Sequence, residues 1–202
     1  MNQIYLTTVP LQTQKGLQQC AYRLPDGGET EPTCFPIVPV LKRTMLPGDT
    51  CRVIALRQRN ADTENNFQML AAELAEHGVT AEQIQSIVVE ENQKADTLLT
   101  LCRAIVDAIP DRSRIHACIT FGTKTFSVVT LCALQCVEQI RQEVEVGGVW
   151  YGEIRRRSDG TPEDSLLNNV DELYQLASLM GGVSDPAAAD RLFRALTDPE
   201  EE

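Results

Sequence analysis

The chain has 202 residues, 43% of them hydrophobic and 23% charged, which fits one soluble domain with a core of its own. Its net charge of −11 excludes the basic field of a general nucleic-acid binder and disfavours docking on anionic membranes. A local basic pocket for a small anion remains compatible with that acidic surface.

The first run, residues 4–9, is β-rich and is ended by Pro10. Residues 10–48 are punctuated by Pro25, Asp26-Gly27-Gly28, Pro32, Pro36, Pro39 and Pro47-Gly48. They read as an irregular excursion holding a hairpin around Pro25-Asp26-Gly27, with its role as a lid left open. Alternation follows: a strand at 51–56, then a helix at 63–77 with Phe67, Leu70 and Leu74 at helical spacing and Gly78 as its stop. A strand at 84–89 precedes a helix over 93–109 that Pro110 ends, and a strand at 115–120 precedes a long apolar helix over 124–143. That helix is apolar on more than one side, so it is either sandwiched or placed at a subunit interface. A last strand is expected at 146–154, a turn at 159–162, and helices at 165–180 and 186–196.

Strands alternating with helices predict an α/β fold: a Rossmann-like parallel sheet with helices on both faces, plus a small C-terminal helical segment. The expected division is a ligand-binding domain over 1–157, the helical segment over 158–197, and an acidic tail or linker at 198–202.

Ligands of open α/β sheets bind beyond the carboxyl ends of the strands. Thr7-Thr8, residues 57–60, Glu90-Glu91-Asn92 and residues 120–125 fall there. The last is the sharpest candidate. Gly122 permits close backbone approach, the amides that follow open a helix, Thr123 and Thr125 add hydroxyls, and Lys124 adds a cation. The plainer reading is a glycine turn, a capping threonine and a solvated lysine. Neither the phosphate-loop spacing nor a dinucleotide fingerprint is present. No serine, cysteine or aspartate sits in a nucleophile motif, so no catalytic residue is assigned. His116 reads as a core residue, and Arg155-Arg156-Arg157 as a solvated face or a rim that steers a polyanion. The seven cysteines lack a C-x-x-C pair and are joined by only two histidines. They read as buried free thiols of a reducing cytoplasm, with no structural metal and no cofactor. The N-terminus lacks a basic region and an apolar run, so a soluble cytoplasmic protein is expected.

The run Ile115-His116-Ala117-Cys118-Ile119-Thr120-Phe121-Gly122-Thr123-Lys124-Thr125-Phe126-Ser127 resembles the signature of CARF domains, the Rossmann-like sensors of type III CRISPR systems. Thr120, Gly122, Thr123 and Lys124 match the pattern, while Cys118 stands where an aspartate is usual. Val149-Trp150-Tyr151-Gly152 and Val170-Asp171-Glu172-Leu173-Tyr174 resemble segments that follow in such proteins. The likeness covers most of residues 1–197 in order and spacing, but the specific motif is about a dozen residues.

The resemblance implies a homodimer that binds a cyclic oligoadenylate (tetra- or hexa-adenylate) across its two-fold axis. Gly122, Thr123 and Lys124 would hold phosphates with Thr8 as a second contact, Phe121 and Thr125 would complete the ligand-binding turn, and Arg57, Asn60 and Glu91 would face adenine or ribose. The module would control a type III CRISPR effector output, with a fused or missing C-terminal effector domain as partner. A metal-independent ring nuclease acting on the same ligand, and an unrelated nucleotide-binding α/β domain, are the alternatives.

Overall fold

A computed structural model describes residues 1–13, 16–158 and 160–197. The chain forms β1 (Asn2–Thr8), α1 (Ile37–Thr44), β2 (Thr50–Gln58), α2 (Ala61–Glu76), β3 (Ile84–Val89) and α3 (Ala95–Ala108). It continues through β4 (Ser113–Cys118), α4 (Lys124–Ile140), β5 (Glu145–Arg156), β6 (Pro162–Asn169), α5 (Asp171–Gly181) and α6 (Pro186–Thr197). The strands make one six-stranded sheet of order β3-β2-β1-β4-β5-β6. Five of them run parallel, and β6 returns antiparallel to β5. The chain is therefore a Rossmann-like α/β domain.

The layering follows from the strand order. β1 to β2 to β3 moves one way across the sheet, and β4 to β5 moves the other way. Right-handed crossovers then put α1 and α2 on one face and α3 and α4 on the opposite face. β1 is buried on both sides, as a central parallel strand must be. Tyr5, Val53, Ala55 and Cys118 pack into one core with Ile37, Val40, Leu41, Leu70 and Leu74 from α1 and α2. Residues of opposite parity, Ile4, Leu6, Ile54, Leu56, Ile115 and Ala117, are buried on the other face. On the first face the Tyr5 ring stacks on His116 at 5.3 Å, and His116 Nε2 meets Gln3 Oε1 at 3.2 Å, so His116 is a core residue as expected.

The segment 10–48 is more ordered than its prolines imply. The expected hairpin forms: Leu24 N–H donates to the Gly28 carbonyl at 2.8 Å, and Cys20 pairs with Thr33. α1 corrects the reading of this stretch as irregular throughout. Pro39 is its third residue, in the first turn, where a missing N–H removes no helical bond. Five consecutive residues of this helix, from Ile37 to Leu41, are buried, so the segment builds one face of the core. Asn66 of α2 ties it down by donating to the Pro10 and Gln12 carbonyls at 3.0 and 2.7 Å.

β6 is a second correction. The expected helical segment 158–197, with a turn at 159–162 and a helix at 165–180, places 165–169 in helix and no strand here. Instead this stretch pairs with β5 along its length, with Ser165 and Leu167 buried. The hairpin residue Arg23 locks the strand on its other edge: its N–H donates to the Ser165 carbonyl and its carbonyl accepts from Leu167 N–H, both at 2.9 Å. Two compact units result, Met1–Asn169 and Val170–Glu202, so the sheet unit runs past the expected boundary at 157. The second unit carries α5 and α6. The expected tail at 198–202, and Asp159 of the expected turn, lie outside the described residues. Among the described residues no helix is long and apolar enough to cross a membrane.

One carboxylate inside this packing gives a pH test. Glu73 of α2 is half-buried and accepts from the Thr33 hydroxyl. Desolvation pushes its carboxyl above the usual range, against the hydrogen bonds from Thr33 and the Cys34 amide. The folded state thus holds the Glu73 proton more tightly than the unfolded state. Its stabilising share is present at acid pH and is lost as pH rises through the folded value. Glu73→Gln should flatten that loss. Its urea midpoint relative to wild type should improve between about pH 4 and about pH 7, and a pH-independent difference would contradict this.

Candidate functional site at the switch point of the sheet

The strand order reverses between β1 and β4, and the open crevice of a doubly wound sheet lies beyond the carboxyl ends at that point. Thr8 closes β1, and the turn from Phe121 to Thr123 joins β4 to α4. The two touch. Gly122 has φ +92, and a Cβ built there would lie 2.5 Å from Thr8 Cγ2 and 3.3 Å from the Phe126 ring. Only glycine combines that backbone conformation with that approach. Phe126 is fully buried beneath the turn and fixes its height, while Thr8 is 3% exposed.

Below the turn, the Thr120 hydroxyl accepts from Gly152 N–H at 2.7 Å and meets the Cys118 thiol at 3.1 Å. Cys118 itself faces the α1–α2 core, and burial pushes its thiol up and keeps it neutral. A neutral group suits this dry position, whereas an aspartate would need a partner there.

Above the turn, Thr123 caps α4 by position, but its side chain makes no capping bond. Its hydroxyl instead meets the Thr125 hydroxyl at 2.8 Å, and Thr125 donates to Gln93 Oε1 at 2.8 Å. Gln93 lies in the loop between β3 and α3, where nothing in the local pattern marked it. It draws that loop onto the start of α4.

The electrostatics single out this helix end. α2 and α3 open at the same edge of the sheet and carry Asp62, Glu64 and Asp96 in their first turns. Such acids offset the positive end of a helix dipole. The first turn of α4 contains no acid and begins with Lys124. Lys124 is exposed and has no hydrogen bond or ion pair to any described residue. Uncapped amides, hydroxyls and a cation thus converge where an anion is favoured.

Arg57, Asn60 and Glu91 lie along the same edge, at the ends of β2 and β3, but each has a partner within the fold. Arg57 donates to Ser86 Oγ at 2.9 Å, pairs with Glu64 at 2.6 Å and stacks over Phe67. Asn60 caps α2 by accepting from Thr63 N–H at 2.9 Å, and its amide donates to Glu91. A ligand contact from this group would cost one of those bonds, whereas Lys124 at the α4 turn gives up none.

The domain also holds a cleft of about 360 Å³ between the hairpin, α1 and the end of α2, remote from the turn. Both basic side chains on its rim are already in ion pairs, Lys42 with Glu31 and Arg43 with Asp26. Among the described residues no group of three His, Cys, Asp or Glu side chains is placed to hold a metal. Neither protein-family models nor curated proteins give a match to this chain.

The Gly122–Thr8 contact is testable without a ligand. Gly122→Ala should destabilise by about 1–3 kcal/mol, the scale of a strained backbone residue. Thr8→Ser, which removes the Cγ2 methyl, should recover part of that loss in the double variant but leave the φ strain. Denaturant titration of the four proteins measures this coupling, and strictly additive effects would contradict the contact.

Proposed function

We propose that this chain is a cytoplasmic sensor domain that binds a cyclic oligoadenylate second messenger at a homodimer interface and controls a type III CRISPR effector. The observation that carries the reading is the start of α4: an acid-free, uncapped helix end at the switch point, opened by Gly122 and bearing Lys124. A ring of phosphates is the kind of anion such a site accepts. The amides after Gly122 and the hydroxyls of Thr123 and Thr125 hold phosphate oxygens, Lys124 supplies the charge, and Thr8 borders the site. Phe121, partly exposed on the turn, offers its ring to a base. Arg57, Asn60 and Glu91 shape the flank.

A cyclic ligand of even symmetry calls for two copies of the turn, which an isologous dimer provides. α4 offers a surface for it. One side of the helix packs on the sheet, and the opposite side exposes Val128, Cys132, Cys136 and Ile140 at four-residue spacing. Leu99 of the neighbouring α3 is also apolar and 71% exposed.

Calorimetric titration with cyclic tetra- and hexa-adenylate should give one ligand per two chains for one of the two rings. Lys124→Ala should weaken that binding by about 1–3 kcal/mol, the loss of a charge-assisted contact. Absence of binding to both rings would sink the proposal, and unchanged affinity would remove Lys124 from the site. Recovery of linear adenylate with a 2′,3′-cyclic phosphate end after long incubation would instead make the protein a ring nuclease.

A further inference from the structure

The seven cysteines divide into two groups. Cys20, Cys34, Cys51 and Cys118 are buried, and burial pushes the thiols of Cys34 and Cys51 to about 11. Cys132 and Cys136 are exposed and Cys102 is half-exposed, contrary to the expectation that all seven are buried. These three share one seam. α3 and α4 run side by side in the same direction, because Gln93 before α3 meets Thr125 at one end and Val106 meets Arg141 at the other. Counted between those two contacts, Cys102 falls level with Cys136, with Cys132 one turn earlier, and burial followed by the neighbouring Cys136 and Cys132 pushes the Cys102 thiol up.

We propose that Cys102 and Cys136 are a thiol pair that oxidises to an intrachain disulfide clasping α3 to α4. Helical geometry rules out a bond within α4. Cys132 and Cys136 are one turn apart on the same helix, where Cβ atoms are about 5–6 Å apart. A disulfide wants roughly 3.5–4.5 Å between them. Cys102 approaches from the neighbouring helix and is free of that limit.

The exposure of the thiols sets the order of events. The oxidant is a low-molecular-weight disulfide. The exposed Cys136 thiolate attacks one of its sulfurs, forms a mixed disulfide and expels a small thiolate, which takes up the proton that Cys136 lost. The Cys102 thiolate then attacks the Cys136 sulfur. The Cys102–Cys136 bond forms, the second small thiolate leaves, and it takes up the proton from Cys102. Two electrons pass from the two cysteines to the small disulfide. The clasp does not require the ligand, and because Cys136 lies on the α4 face proposed for the dimer, it forms in the separated chains.

The test is peptide mapping of the folded protein after incubation in glutathione buffers of graded oxidised fraction, alkylation, and digestion with trypsin without reduction. The expected product is a single cross-link between peptide 95–103 and peptide 125–141, replacing free Cys136 as the oxidised fraction rises. Cys132→Ser should keep this cross-link. Cys102→Ser should abolish it and leave Cys136 as the glutathione adduct. Wild-type protein that carries only glutathione adducts, with Cys102 fully alkylated, would overturn the proposal. So would a cross-link that survives in Cys136→Ser.

Discussion

The close approach of the Gly122 backbone to the Thr8 side chain sets the geometry of the carboxyl edge of this sheet. β1 lies between β2 and β4, and Thr8 at its end is buried and paired with Leu56 of β2, so its position is fixed by the sheet. A turn that rests on Thr8 inherits this rigidity. The buried Phe126 ring sets its depth from the other side, and Gln93 anchors the helix that follows. The start of α4 therefore needs little reordering to receive a ligand, which keeps the entropic cost of binding small.

Charge placement at that edge explains how a chain of net charge −11 can present an anion site. Acids occupy the first turns of α2 and α3 and are absent from the first turn of α4. The arginine at the end of β2 is neutralised by Glu64 and packed on Phe67, so it adds little field above the crevice. What remains is one helix end with Lys124 at its mouth. The acidic surface elsewhere would discourage long polyanions, while a compact ring of phosphates makes only local contacts.

The parallel core was legible in the sequence because its signals are local. Apolar runs bounded by turns marked β1 to β5, and helical spacing with Gly78 and Pro110 as stops marked α2 and α3. The turn at Gly122 was legible for the same reason, since glycine before a helix start has a definite conformational meaning. What stayed hidden depends on partners far along the chain. Leu166, Leu167, Val170 and Leu173 fit a helical face, and pairing with β5 and Arg23 overrides that spacing for the first part. α1 was masked by prolines that are harmless in a first turn. Gln93 became a site neighbour only when α3 was laid beside α4. The thiols of Cys132 and Cys136 were misplaced because a helix apolar on more than one side does not say which side meets the sheet.

The central claim is that the start of α4 is where this domain takes its ligand. Amide resonances of an isotopically labelled sample, followed during titration with cyclic tetra- and hexa-adenylate, test it most directly. The amides of Gly122, Thr123, Lys124 and Thr125 should move first and furthest and saturate at one ring per two chains. Shifts confined to the cleft between α1 and α2, with the Gly122 turn unmoved at saturation, would contradict it.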